Sequence, residues 1–172
     1  MAILVLGGAG YIGSHAACAL RRSGYEVVLY DNLSTGYRRL AQGFELVEGD
    51  ITDEARLRPV LARVDAVMHF AAHAYVGESV ENPRKYFRNN VVAALSLLNC
   101  AMDAGIRRFV FSSTCAVYGI PRQMPITEKT LRRSGQSLWR IEAFFRKRAR
   151  GLQPRLRTTL GESALFQRCG SR

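Results

Sequence analysis

Three glycines at positions 7, 10 and 13, in the stretch GGAGYIG, are the residues of this sequence that most directly imply chemistry. They follow a short apolar run, AILVL (2–6), and open a helical pattern that reaches about Ser23. Gly7 permits a tight turn, Gly10 lets the backbone approach a pyrophosphate, and Gly13 lets the helix pack close to the strand before it. A phosphate placed there meets unpaired N–H groups and the positive end of the helix dipole. Asp31 closes the next apolar run, EVVLYD (26–31). A carboxylate at that distance accepts hydrogen bonds from both hydroxyls of an adenosine ribose and repels a 2′-phosphate, so the pattern favours NAD over NADP.

The elements needed to position these groups recur along the chain. FELVEGD (44–50), VDAVMHFAA (64–72) and RFVFSS (108–113) are further apolar runs. Apolar residues at helical spacing fill the segment from about Pro83 to Ala104, with Gly105 as its C-cap. Strand and helix in alternation predict an α/β fold: a doubly wound parallel sheet with helices on both faces. Continuous rather than alternating apolar strands mean that both faces are covered. Residues 1–130 read as one NAD-binding domain without internal repeats.

Charge separates that domain from the remainder of the chain. The 172 residues carry a formal net charge of +11. Residues 131–172 hold 11 Lys and Arg against only Glu142 and Glu162, which leaves 14 basic and 12 acidic residues for 1–130. The first 130 residues therefore show no electrostatic sign of a nucleic-acid partner. No apolar run approaches the length of a membrane span, and the N-terminus lacks the charged flank of a signal peptide, so a cytoplasmic location is expected. Cys18, Cys100, Cys115 and Cys169 show no metal-ligand spacing and read as reduced thiols. No metal site is expected, and His15, His69 and His73 read as structural.

GGAGYIGSH, DNLSTG, EGDITD, HFAAHAYVGESV and FSSTCAVYG, in this order and spacing, resemble the N-terminal half of UDP-glucose 4-epimerases of the extended short-chain dehydrogenase/reductase superfamily. The resemblance runs from Met1 to about Thr130. It implies a Rossmann-type fold, NAD as cofactor, a UDP-sugar substrate in galactose and nucleotide-sugar metabolism, and a homodimer for the full-length family. It also implies roles by position. Tyr11 and Ile12 cover the pyrophosphate; Asp31, Asn32 and Thr35 meet the adenosine side; Asp50 and Ile51 line the adenine pocket. Phe70, Ala71 and Ala72 run beneath the cofactor, Asn89 reaches towards it, and Ser112 stands beside the nicotinamide. Thr114 matches the active-site Ser/Thr that hydrogen-bonds the sugar O4. Read alone, Asp50 is a helix N-cap, Asn89 one of two exposed amides and Thr114 the end of a strand; the shared register is what gives them functional roles. Ala74 stands where well-known members carry a lysine, and AYVGES is similar to epimerases acting on UDP-pentoses, so UDP-glucose/galactose and UDP-xylose/arabinose both remain open.

The resemblance implies a Tyr-x-x-x-Lys pair on one helix face, the lysine lowering the tyrosine pKa so that the phenolate takes the O4 proton. By register the pair falls near 139 and 143, where this chain has Trp139 and Ala143. Residues 131–172 contain no tyrosine. Codon degeneracy allows a shifted reading of the same stretch to give PVNPYGESKLF, then EKALEAYSRAYGLR from 146–159 and YFNAAG near Phe166–Gly170, each a segment the family implies. A frameshift near Leu131 is therefore expected, with a poorly ordered basic tail at 131–172 in which RKRAR (146–150) is no evolved nucleic-acid patch. An amphipathic helix over Leu138–Leu152 is the alternative. The frameshift reading predicts an inactive chain that lacks the last sheet strand, exposed apolar surface on the fifth strand, and marginal stability or aggregation. It leaves three rivals: an NAD-binding module without catalysis, a nucleic-acid binder using the tail, and a 4,6-dehydratase. The last is disfavoured because Cys115 and Ala116 follow Thr114.

Overall fold

The apolar runs of the sequence become neighbouring strands of one parallel sheet. A computed structural model of the chain describes residues 1–112, 125, 127 and 157–161. In chain order it contains β1 (Ala2–Leu6), α1 (Tyr11–Arg22), β2 (Glu26–Asp31), a 3-10 turn (Arg38–Ala41), β3 (Glu45–Glu48) and α2 (Glu54–Leu61). Then come β4 (Ala66–His69), α3 (Val76–Glu81), α4 (Pro83–Phe87), a π turn (Arg88–Ala93), α5 (Ala94–Asp103), β5 (Arg108–Ser112) and β6 (Arg157–Gly161). The strand order is β3-β2-β1-β4-β5-β6, every neighbour parallel. The winding reverses between β1 and β4, which opens a crevice beyond their carboxyl ends.

Burial on both faces explains the unbroken apolar strands. Leu4 and Leu6 of β1 join Val28, Tyr30, Val67, Phe109 and Phe111 against α2 and α5, where Leu57, Leu61, Leu97 and Leu98 are fully buried. Ile3 and Val5, the alternate residues of β1, join Val27 and Leu29 with Ala17 of α1 on the other face. Alternation of side chains along a strand thus serves two apolar layers rather than one.

The helical segment expected over 83–104 is present and carries a π turn at its centre, with right-handed helical backbone angles at Phe87, Arg88, Ala93 and Ala94. Asn82 caps α4 through its side chain (Lys85 N–H to Oδ1, 3.3 Å) with Pro83 in the first turn, and the π turn joins α4 to α5. Gly105 does close the segment, at φ +74°. The sheet also gains an edge strand that the sequence does not lead one to expect. β5 is not left open: Arg157–Gly161 pairs with it in parallel from Arg108↔Arg157 to Ser112↔Gly161. A strand edge offers a row of backbone N–H and C=O groups, and pairing with it asks little of sequence beyond a segment such as RTTLG that favours extension. The remainder of the tail, with Trp139, Ala143 and RKRAR, lies outside the described residues. Among the described residues no helix is long and apolar enough to cross a membrane.

Candidate functional site

The crevice at the winding reversal is a groove with about 560 Å³ of empty space, open solvent included. Gly7, Gly10, Asp31, Asn32, Thr35, Ile51, Phe70, Ala71, Ala72 and Asn89, all singled out in the sequence, line it. Tyr30, Ser34, Gly36, Gly49 and His73 line it as well.

One wall is the loop between β1 and α1, and backbone sterics shape it. Gly7 has φ +74°, and a Cβ there would stand 2.7 Å from the Ala71 nitrogen. A Cβ on Gly13 would stand 2.1 Å from the Gly7 carbonyl oxygen. Both glycines are obligatory because the colliding atoms are backbone. Gly10 is the N-cap of α1, no side chain caps that helix, and no acidic residue stands in its first turn. An anion thus meets the helix N-terminus without a competing carboxylate. Tyr11 is 64% exposed and its ring lies 4.6 Å from that of His15. Ile12 is half-buried and Gly13 buried, and neither lines the groove.

Asp31 holds this wall to β2. Its Oδ2 accepts from Ala9 N–H (2.9 Å) and its Oδ1 from Leu33 N–H (2.8 Å). Each carboxylate oxygen keeps a further lone pair, so a ribose is a second use of a group the fold already employs. Leu33 adopts φ +56°, and Ser34 N–H donates to Asn32 Oδ1 (3.0 Å). Gly36 is needed where it is, since a Cβ there would stand 2.9 Å from Asp31 Oδ1.

Asp50 sits beside the groove, engaged elsewhere. It accepts from Asn32 Nδ2 (2.7 Å), Thr52 N–H (2.9 Å) and Thr52 Oγ1 (2.6 Å). Burial pushes its carboxyl up, but these hydrogen bonds together hold it below the usual range. The N-cap of α2 is Asp53, which accepts from Arg56 N–H (3.1 Å), and not Asp50.

The opposite wall is the stretch after β4. Phe70 N–H donates to Leu6 C=O (2.9 Å), and the chain then runs past the groove to His73. There Asn90, 2% exposed on the π turn, clamps it at both backbone groups. Asn90 Oδ1 accepts from His73 N–H (3.0 Å) and Asn90 Nδ2 donates to His73 C=O (2.9 Å). Asn89 Nδ2 donates to Asn90 Oδ1 (2.9 Å), and Asn89 is half-buried on the groove, so the surface-amide reading does not hold. Sequence reasoning missed Asn90 and His73; a lone NN pair and an isolated histidine carry no local signal of a contact across 17 residues.

Ser112 ends β5 half-buried and does not line the groove. Thr114 lies outside the described residues. His69, the last residue of β4, is buried beside Phe109 and Phe111 of β5, its Nδ1 without a partner, and burial pushes its pKa down to about 4. Among the described residues no group of His, Cys, Asp and Glu could hold a metal ion.

These residues fit an adenine dinucleotide: a cradle that a Cβ would fill, an uncapped helix N-terminus and a carboxylate at the end of β2. Comparison with known proteins agrees. Residues 3–138 match the profile described as Epimerase: NAD dependent epimerase/dehydratase family. The chain belongs to this NAD dependent epimerase/dehydratase family. The UDP-glucose 4-epimerase of Rhizobium meliloti (strain 1021) is 52% identical over 128 residues, which cover 73% of this chain and 39% of that protein. Among solved structures, UDP-glucose 4-epimerase from Brucella ovis in complex with NAD superposes with a TM-score of 0.82 at 43% identity, covering 91% of this chain and 50% of the other. A UDP-glucose-4-epimerase from Stenotrophomonas maltophila with bound NAD and formylated UDP-arabinopyranose gives 0.78 at 34% identity, covering 88% and 48%. The chain thus spans about 39% of the length of the curated epimerase, and NAD is the cofactor of the family to which its groove belongs.

Proposed function

We propose that this chain is the NAD-holding part of a UDP-sugar 4-epimerase that interconverts UDP-glucose and UDP-galactose, and that as written it stops short of turnover. The single observation carrying this reading is the groove at the winding reversal, where the Gly7–Gly13 cradle and Asp31 meet. The identity to the Rhizobium enzyme supports the sugar pair.

NAD, when bound, supplies a hydride acceptor and donor for C4 of the sugar. The rest is the work of this chain. The first turn of α1 holds the diphosphate, with Tyr11 covering it by its match to the family motif. Asp31, with its two oxygens fixed by Ala9 and Leu33, orients the adenosine ribose. Phe70, Ala71 and Ala72 form a floor without polar side chains that keeps water from beneath the cofactor. Thr114 holds the O4 hydroxyl, by its match to the family motif. The proton acceptor is what is missing: Trp139 and Ala143 stand where a tyrosine and lysine are required. The family match ends at residue 138, immediately before those positions, which supports a change of reading frame near Leu131. On that reading 131–172 is a separate, unselected segment, its strand β6 notwithstanding.

A second substrate pair has its own support. Ala74 sits in the AYVGES variant, and the Stenotrophomonas relative is seen with a formylated UDP-arabinopyranose, so UDP-xylose and UDP-arabinose belong in the same assay.

The deciding experiment begins with the nucleotide sequence over codons 125–175. A shifted frame encoding Tyr-x-x-x-Lys is expected. A chain with the frame restored should convert UDP-galactose to UDP-glucose and sediment as a homodimer, whereas 1–172 should retain NAD without turnover. Thr114→Ala in the restored chain should slow the reaction about 100-fold, the scale of positioned proton transfer. A restored chain that holds no NAD, or that alters C4 of neither sugar pair, overturns the proposal.

A further inference from the structure

Two lining residues of the groove, Tyr30 and Gly49, also meet each other. Tyr30 precedes Asp31 on β2, is fully buried and belongs to the same apolar layer as Ile51 and Leu57. Its hydroxyl reaches the segment that leaves β3 and donates to Asp50 C=O (3.0 Å). Gly49 leaves room for it: a Cβ there would overlap Tyr30 Oη and stand 2.7 Å from Tyr30 Cζ and 2.8 Å from Arg56 Cδ. A ring enclosed by the core cannot swing aside, so a group added at position 49 must displace the segment itself.

We propose that Tyr30 is a positioning residue for the base of the bound dinucleotide, acting through the segment 49–52; the inference rests on NAD being the ligand of the groove. The strand order β3-β2-β1 gives the direction in which the ligand lies. The diphosphate meets the N-terminus of α1 beyond β1, and Asp31 at the end of β2 meets the ribose. The base continues one strand further and comes against what leaves β3, where Gly49 and Ile51 line the groove.

That segment is restrained from three sides. At the strand ends, Gly49 N–H donates to Asp31 C=O (3.0 Å) and Asn32 Nδ2 to Asp50 Oδ2 (2.7 Å). At the start of α2, Asp53 N–H donates to Asp50 C=O (2.9 Å), and Arg56 donates to Glu48 C=O (2.6 Å). Tyr30 supplies the third restraint, from the core, and shares the Asp50 carbonyl with Asp53. A carbonyl oxygen has two lone pairs, so both bonds form at once. Loss of the hydroxyl therefore leaves Asp50 C=O with one partner and loosens the segment without unfolding it. An apolar contact between a base and Ile51 is sensitive to such loosening, because a gap of about 0.5–1 Å forfeits a quarter to a half of the dispersion attraction.

The test measures NAD affinity of the full 172-residue chain by calorimetry. Ligand-detected NMR titrates the two halves of the dinucleotide, AMP and nicotinamide mononucleotide, separately. Tyr30→Phe removes one neutral hydrogen bond and should weaken NAD and AMP alike, by about three- to tenfold. Nicotinamide mononucleotide should bind that variant within about twofold of wild type, since its base lies on the other side of the diphosphate. Gly49→Ala presses on the same segment and should weaken AMP by about tenfold or more. In a Tyr30→Leu background, where the Oη and Cζ it would strike are gone, Gly49→Ala should weaken AMP by at most about threefold. If Tyr30→Phe proves too unstable to titrate, the Gly49→Ala chain decides by the same comparison of the two halves. Unchanged NAD affinity in Tyr30→Phe, or equal losses for the two halves, overturns the positioning role and leaves NAD binding intact. A wild-type chain that binds no NAD would instead sink the reading on which the inference rests.

Discussion

The two walls of the groove are held by different kinds of restraint. The wall between β1 and α1 depends on what is absent: no Cβ fits at Gly7 or Gly13, and the atoms they would meet are main-chain atoms. The wall from Phe70 to His73 depends on what is present, the side-chain amide of Asn90, buried and reaching across 17 residues to a neighbouring loop. The first restraint is a hard contact that admits no partial relaxation. The second is a pair of hydrogen bonds, strong in a dry site but graded. Asp31 joins them on one side only, anchoring Ala9 and Leu33 and nothing of the second wall.

The largest effect should follow from Gly13→Ala. The added Cβ lies 2.1 Å from the Gly7 carbonyl oxygen, so α1 must move away from the loop, and the cradle opens. NAD retention should fall at least about 100-fold, with several kcal/mol of stability lost through overpacking. Equilibrium dialysis against NAD and urea unfolding would measure the two. Affinity within about threefold of wild type would break the contrast between the walls, because the first would then yield as easily as the second.

Asn90→Ala should be the next largest. It leaves His73 N–H and C=O without their side-chain partner in a half-buried place, at about 1–2 kcal/mol because water can reach part of the site. Asn90→Asp keeps the shape and the acceptor but loses the donor to His73 C=O, and should fall between wild type and alanine. NAD affinity should drop by roughly tenfold in the alanine variant, since the wall loosens without collapsing. Chemical denaturation of the three proteins sharpens the comparison: equal stabilities would show that the clamp is not what fixes the second wall.

The same contrast explains what could be read before any fold was known. A glycine with positive φ at a turn and an acid at the end of the next strand are demands made within a few residues, and they leave a local pattern. Gly7, Gly10, Gly13 and Asp31 were legible for that reason, as were five parallel strands and their two apolar faces. Asn90 and His73 were not, because their partnership is created by the fold. The π turn was not legible because apolar spacing over 83–104 fits a regular helix as well as one with a π turn inside it. Asp50 and Asp53 illustrate a finer limit. Both carboxylates precede α2, and only the path of the chain decides that Asp53 caps the helix while Asp50 accepts from Asn32 and Thr52. The strand at 157–161 was missed for a different reason: pairing with β5 uses backbone groups that every residue carries.

A smaller effect asks whether the strand beneath the second wall also sets the acid limit of the fold. His69 ends β4 just before that wall and is buried with its Nδ1 unpartnered. Its pKa is about 4 in the folded protein against 6.5 for the ordinary group. The folded state therefore binds fewer protons than the unfolded one between those values. Stability is full above about pH 6.5 and declines as pH falls towards 4, by about 2 kcal/mol at pH 5 from this group alone. His69→Leu removes both the unmet nitrogen and the titration. It should match or exceed wild-type stability at pH 7, and between pH 7 and 5 it should lose about 2 kcal/mol less than wild type does. Thermal or urea unfolding across that range decides it. Parallel declines in the two proteins would mean that acid acts elsewhere, and the weakness of the second wall would then lie in the Asn90 clamp and not in the strand that precedes it.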